Sequence, residues 1–229
     1  MLSIETKNLT KKFKEKTVVN GIELRINEGE LFALLGPNGA GKTTTIKMLS
    51  TLILPTDGEI KINGLDIIKD RQKIKEIINV SPQETAIAPN LSVKENLEFM
   101  AGVYQIKMFK LEEVLNQKAK TLSGGWQRKV SIAIALINEP KILFLDEPTL
   151  GLDVIARKEL WNVIEKLKGK ITIILTTHYM EEAESLSDII GIMAKGNLVD
   201  VGTAKELIKR AGTKNFEDAF VKIATGGEL

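Results

Sequence analysis

Cysteine is absent from all 229 positions. That excludes disulfide staples, thiolate metal sites and a cysteine nucleophile, and it fits a cytosolic protein. An excess of one charge is missing too. The 32 Lys and Arg residues stand against 30 Asp and Glu, a formal net charge of +2. A balance this near neutral gives no reason to expect nucleic acid as a partner, since a polyanion calls for a clustered basic surface. Many lysines sit beside glutamates, as in Lys14-Glu15-Lys16 and Lys75-Glu76, and read as a solvated face. No stretch approaches the ~18 apolar residues of a spanning helix. Residues 1–5 lack a basic segment leading into an apolar run, so no signal peptide is expected. Any membrane role is therefore expected to come through a partner.

What is present is ordinary globular material, 43% hydrophobic and 27% charged, with enough apolar residues for a sizeable core. Ile22, Leu24 and Ile26 alternate with polar neighbours, the pattern of a half-buried strand. Glu28-Gly29 turns the chain into the apolar run 31–35, which reads as a buried strand. Ile60 and Ile62 alternate again before Asn63-Gly64, a strong hairpin dipeptide. Ser92-Val93-Lys94-Glu95 is a capping box opening a helix expected to run through Tyr104. A short helical piece covers 111–116. A further helix, 123–138, is apolar nearly all round and should be buried on most sides before Pro140 stops it. Residues 141–145 and 171–175 read as buried strands, with an amphipathic helix over 154–167 between them. Residues 189–193 and 198–201 flank Lys195-Gly196-Asn197 as a closing hairpin. Asn215 caps a short amphipathic helix with Phe216, Ala219, Phe220 and Ile223 on its apolar stripe. Buried strands alternating with helices indicate a parallel α/β core, to which early antiparallel strands and a helix-rich middle are attached.

Gly36-Pro37-Asn38-Gly39-Ala40-Gly41-Lys42-Thr43 matches G-x-x-x-x-G-K-[ST]. It follows a buried strand and leads into a helix from Thr44, the context that motif requires. The glycines let backbone N–H groups point inward around a β-phosphate, and the helix N-terminus adds its dipole at the same point. Lys42 is placed to bridge β- and γ-phosphates, and the Thr43 hydroxyl to coordinate Mg²⁺. Four fixed positions match by accident in roughly one chain in a hundred of this length, so the motif carries weight. Alone it indicates only nucleoside triphosphate binding and also suits a small kinase or a GTPase. No Asn-Lys-x-Asp segment for guanine is present, which argues against the GTPase.

Phe144-Leu145-Asp146-Glu147 ends the second buried strand with two carboxylates. Ligands in open α/β sheets sit at the carboxyl ends of strands, so this end and the glycine loop are expected to meet at one site. Asp146 would hold Mg²⁺ through water. Glu147 would orient the attacking water and accept its proton. The lone histidine, His178, follows the third buried strand, where a ring nitrogen could reach a γ-phosphate or the attacking water.

With these residues read, the chain resembles an ATP-binding cassette (ABC) transporter subunit. Leu122-Ser123-Gly124-Gly125 carries the resemblance, because other phosphate-loop ATPases have no counterpart to it. The motifs occur in the family's order over nearly the whole chain: the glycine loop, Gln83, Ser123-Gly124-Gly125, Asp146-Glu147, Leu152-Asp153 and His178. The resemblance implies a phosphate-loop NTPase core with a mostly parallel sheet, plus an antiparallel β subdomain and a helical subdomain. It places the β subdomain and ATP-binding core at 1–83 and 139–202, the helical subdomain at 84–138 and a C-terminal helical tail at 203–229. Phe13 falls where the family stacks an aromatic on adenine. Gln83 matches a loop glutamine that contacts Mg²⁺ and senses the membrane partner. Asp153 matches a loop aspartate that crosses to a second subunit. Ser123 and Gly125 would contact the γ-phosphate of ATP bound to that second copy, so two chains packed head to tail would sandwich two ATP molecules. ATP would thus bind along Gly36 to Thr44 of one chain and against residues 123–125 of the other.

Two features depart from the family's pattern. Trp126 stands where Gln or another flexible side chain is common, so its indole is expected either to pack against a facing subunit or to cover the site. The span from Gln83 to Ser123 is short, implying a trimmed helical lobe or a missing piece of chain. The expected function is an ATPase at the cytoplasmic face of the cell membrane, bound to an integral-membrane subunit. The 216–224 tail is similar to that of ABC-2-type exporters of drugs and ions. The competing readings are a soluble ABC ATPase acting on ribosomes or DNA, and a phosphotransferase; the latter leaves Ser123-Gly124-Gly125 unexplained.

Overall fold

The computed structural model describes residues 1–98 and 109–227. Strand β1 (Leu2–Phe13) opens the chain. It pairs antiparallel with β2 (Lys16–Ile22) and β3 (Arg25–Asn27). Ile22, Leu24 and Ile26 are all buried as their alternation requires, but Ile22 ends β2, Ile26 belongs to β3 and Leu24 lies between the two strands. The Thr6 hydroxyl explains the break. It donates to the Ile22 carbonyl at 2.9 Å and accepts from the Leu24 N–H at 2.8 Å, standing in for a ladder partner between the two strands. Strand β4 (Leu31–Leu35) and helix α1 (Lys42–Leu49) follow, then the hairpin of β5 (Asp57–Ile62) and β6 (Leu65–Asp66). Asn63 and Gly64 both have positive φ in its turn, 47° and 77°, which is why that dipeptide was so legible.

The middle contributes helix α2 (Arg71–Ile77), strand β7 (Ile78–Ser81) and helix α3 (Val93–Glu98). The Ser92 and Glu95 capping box is formed in both directions, at 2.7 and 3.1 Å. The expected extension of α3 to Tyr104 lies outside the described residues. The piece expected over 111–116 is a 3₁₀ turn at Leu111–Val114. Helix α4 (Gly124–Ala135), strand β8 (Ile142–Asp146), helix α5 (Val154–Glu165) and strand β9 (Thr172–Thr177) come next. Helix α6 (Met180–Leu186), the hairpin β10 (Ile189–Ala194) and β11 (Asn197–Gly202), and helices α7 (Ala204–Ala211) and α8 (Phe216–Thr225) complete the order. Helices α2, α6 and α7 are additions to the sequence-based expectation. Of these α7 carried a readable signal, the Thr203 and Glu206 capping box.

The second sheet has the order β11-β10-β4-β9-β8-β7, with only β11 antiparallel. Strand β9 is thus inserted between β4 and β8, and Leu35 pairs with Thr177 while Asp146 pairs with Thr176. Three strands therefore end at one level, side by side. Alternate residues cover the two faces. Phe32, Leu34, Phe144 and Ile174 pack towards α1 and the antiparallel sheet. Leu31, Leu143, Leu145 and Leu175 pack towards α4 and α5. Ala33 and Leu35 share a third cluster with Ile190, Ile192, Leu207 and Phe216, so α7 and α8 cover the same sheet. Phe216 is 2% exposed. Phe216→Ala should destabilise the protein by about 3–5 kcal/mol, the usual result of emptying an aromatic core site, seen as a lower urea midpoint with little change in slope.

Candidate active site

Leu35 ends β4 at the level where Gly36 donates its N–H to the Thr177 carbonyl at 3.3 Å. The loop then turns through Gly41, whose φ is 105°. A Cβ there would come 2.8 Å from the Val18 carbonyl, so only glycine fits both the backbone and the space. No side chain caps α1 at Gly41. The first-turn N–H groups are therefore left for a ligand, in the geometry that suits an anion. Lys42 is 5% exposed. Its ammonium donates to the Gly36 carbonyl at 2.7 Å and the Pro37 carbonyl at 3.3 Å, and pairs with Glu147 at 3.2 Å.

Asp146 is buried at the end of β8. Its Oδ1 accepts from the Thr43 hydroxyl at 3.1 Å and from the Thr176 hydroxyl at 2.5 Å. Glu147 follows with φ 49°, the left-handed region, which costs a non-glycine residue about 1–2 kcal/mol. Its N–H offsets this by donating to the Thr176 carbonyl at 3.1 Å and to the Thr176 hydroxyl at 3.0 Å. The side chain is buried (6% exposed), with one oxygen on Lys42 and the other 2.7 Å from His178 Nδ1. A carboxylate held this way can take a proton from a water presented to it, with an imidazole beside it.

These groups line one cavity of about 260 Å³. Asn38, Gly39, Ala40, Gly41, Lys42, Thr43, Thr44, Gln83, Glu147 and His178 all face it. Gly36, Pro37 and Asp146 stand behind, each bonded to a side chain that does. Val18 and Leu150 also line it and were not anticipated; an apolar residue in a strand and another in a turn carry no motif. The structure does not bring Phe13 into the cavity. At the end of β1, where it pairs with Lys16, it is 49% exposed beneath the Lys11 ammonium, 5.1 Å from the ring centroid.

Ser123, Gly125 and Asp153 line a different cavity, with Trp126, Lys129 and Ala156. Ser123 caps α4 loosely, accepting from the Trp126 N–H at 3.5 Å. Gly125 lets α4 approach α5: a Cβ there would lie 3.0 Å from that of Ala156. One oxygen of Asp153 accepts from the N–H groups of Ile155 and Ala156, both at 2.9 Å, capping α5. Trp126 is engaged by its own chain, packed against the core with the Lys129 ammonium 4.4 Å over its ring. Lys129 in turn pairs with Glu159 at 2.6 Å.

Two buried charges behind the site were invisible in the sequence. Arg128 of α4 donates to the carbonyls of Pro82 and Gln83 at 2.7 and 2.6 Å, tying the Gln83 loop to the helix that Ser123 opens. Burial works against its charge, and Asp146 and Glu182 counter that. Glu182 is fully buried. It accepts from the Trp161 indole at 3.0 Å and faces the Thr177 and Thr149 hydroxyls. Burial raises its pKa, and the nearby Glu147 charge adds to the rise.

The family profile described as "ABC transporter" matches residues 19–150. Linearmycin resistance ATP-binding protein LnrL of Bacillus subtilis (strain 168) is 37% identical over 238 residues, covering 98% of this chain and 75% of that protein. ABC transporter A family member 12 of Arabidopsis thaliana is 42% identical over 212 residues, covering 86% of this chain. The chain spans only 23% of that relative's length. Among solved structures, the ATP-binding cassette MJ0796, a dimer in a post-hydrolysis state bound to ADP and Pi, superposes with a TM-score of 0.78. It is 28% identical, with 87% of this chain and 98% of that one covered.

The buried Glu182 yields a pH test. A raised folded-state pKa means that folding favours the acid form. Its contribution is full below the ordinary carboxyl value of 4.5 and is lost as the pH rises through the folded-state value. Glu182→Gln keeps the shape and cannot ionise. Urea denaturation should show its stability relative to the parent growing as the pH rises above the ordinary carboxyl range and converging below it. Parallel profiles would contradict the assignment.

Proposed function

The chain belongs to the ABC transporter family, and from that premise we propose that it drives a membrane transporter in the direction of export. It binds ATP and hydrolyses it. The observation that carries the reading is the meeting of Lys42, Glu147 and His178 at the mouth of the glycine loop. We assign the triphosphate to the loop from Gly36 to Thr44, held by backbone N–H groups and the α1 N-terminus. Phosphate oxygens reaching Lys42 take the place of the Glu147 carboxylate and the Gly36 carbonyl as its partners. Glu147, released from the ammonium but still beside His178, then orients a water and accepts its proton as the water attacks the γ-phosphorus. His178 keeps the carboxylate aimed, and its other ring nitrogen faces the attacking water, from which it can accept a hydrogen bond. Phe13, exposed beyond the cavity, is assigned to stack on adenine.

Thr43 and Asp146 present oxygens 3.1 Å apart beside the cavity, and Gln83 lines it. That donor set fits a hard cation that completes its shell with water and phosphate oxygens. When bound there, Mg²⁺ would neutralise charge on the transferring phosphoryl group.

The separation of Ser123, Gly125 and Asp153 from this cavity supports a second copy of the chain, or a related cassette, closing over the nucleotide. MJ0796 is such a dimer. In that arrangement residues 123–125 of one chain cap the γ-phosphate held by the other, with Asp153 crossing between them. We divide the chain into a β subdomain and core at 1–83 and 139–202, a helical subdomain at 84–138 and a tail at 203–229. No helix among the described residues is long and apolar enough to cross a membrane, so an integral-membrane subunit would supply the path and hold the chain at the cytoplasmic face. A relative named for resistance to a compound fits expulsion.

Glu147→Gln should still bind ATP, should hydrolyse it about 10²- to 10⁴-fold more slowly, and should accumulate as a dimer on size exclusion with ATP. Parent-like turnover would remove Glu147 as the base. Affinity capture of the tagged chain from solubilised membranes should bring down a polytopic membrane protein in fixed ratio. Capture of ribosomal proteins instead would redirect the reading to a soluble member of the family.

A further inference from the structure

His178 stands immediately after β9. Its side chain is 27% exposed, so burial alone does not fix the ring. An imidazole that pairs through Nδ1 must hold its two torsions, because a ring flip presents carbon to Glu147. Two side chains supply the restraint. The Tyr179 ring lies against the imidazole, centroids 4.1 Å apart and planes tilted by 39°. The Arg157 guanidinium lies over the Tyr179 ring, 4.5 Å from its centroid. Arg157 Nε is buried with no hydrogen-bond partner among the described residues. Among the described residues, the Tyr179 ring is the stacking partner of that guanidinium.

We propose that Tyr179, backed by Arg157, is a positioning residue that holds the His178 imidazole with Nδ1 on Glu147 and Nε2 available to the cavity. The consequence for catalysis rests on the role given to His178 above; the consequence for the ring itself does not. The backbone supports the arrangement. The Tyr179 N–H donates to the Thr177 hydroxyl at 3.0 Å, and the Arg157 N–H donates to the Asp153 carbonyl at 3.0 Å. Arg157 thus sits one turn into the helix that Asp153 caps, next to Ala156, which lines the cavity with Ser123 and Gly125. A displacement of the start of α5 by whatever covers that second cavity would reach His178 through two stacked groups. Stacking of a cation on an aromatic ring is strong enough to matter once desolvated. A carboxylate on Nδ1 also selects the tautomer with the proton there, leaving a lone pair on Nε2.

The chain has one histidine, so its ring nitrogens can be read by NMR in the intact protein without assignment. In ¹⁵N-labelled parent at a pH where the ring is neutral, the long-range ¹H–¹⁵N pattern should show the Nδ1–H tautomer alone. Tyr179→Phe, which keeps the ring, should preserve that pattern and most of the parent kcat. Tyr179→Ala should give a mixture of tautomers and lower kcat about tenfold with KM changed less than twofold. Arg157→Met should fall between them. In a His178→Ala background Tyr179→Ala should add no further loss. A single unchanged tautomer in Tyr179→Ala, or an equal loss of rate with and without His178, would overturn the positioning role. Parent-like hydrolysis by His178→Ala would instead overturn the catalytic reading of His178 and leave the NMR result to stand on its own.

Discussion

A carboxylate taken out of water must find partners or take up a proton. Glu147 is buried and finds two, the Lys42 ammonium at 3.2 Å and the His178 ring at 2.7 Å. The rest of the site is arranged to make that double pairing geometrically available. The left-handed backbone at Glu147 turns its side chain back over the sheet end. Thr176 holds the turn from two sides, through its carbonyl and its hydroxyl, and the same hydroxyl donates to Asp146. Lys42 of the glycine loop is thus tied directly to the carboxylate at the end of β8.

The pairing depends in turn on strand order. Placing β9 between β4 and β8 brings the glycine loop, the two carboxylates and the histidine to one level. Each strand is apolar on both faces because both are covered, by the antiparallel sheet and α1 on one side and by helices on the other. The level at which they end is set by the parallel ladder, in which Leu35 pairs with Thr177 and Asp146 with Thr176. The C-terminal helices belong to this covering: Phe216 buries itself against Ile190 and Ile192.

Outward from the site, the connections run through a few long side chains. Arg128 ties the Gln83 loop to the helix opened by Ser123. Lys129 links the same helix to α5 through Glu159. The Arg157–Tyr179 stack links α5 to His178. The two cavities of one chain are thus mechanically joined, although each is built from different motifs.

What the sequence determined by itself was the local chemistry. The glycine loop, Ser123-Gly124-Gly125, Asp146-Glu147 and the Asn63-Gly64 turn were all legible, because each is a run of neighbours whose spacing dictates a backbone shape or a set of donors. The apolar runs 31–35, 141–145 and 171–175 were legible as strands for the same reason. Only the tertiary structure decided which distant groups touch. That Thr6 interrupts a strand, that Phe13 lies beyond the cavity while Val18 lines it, that Arg128 reaches two loop carbonyls, and that Glu182 is shut away behind the site are facts of sheet order and helix packing. Side chains far apart in the chain meet through long-range packing, and no local spacing rule carries that information.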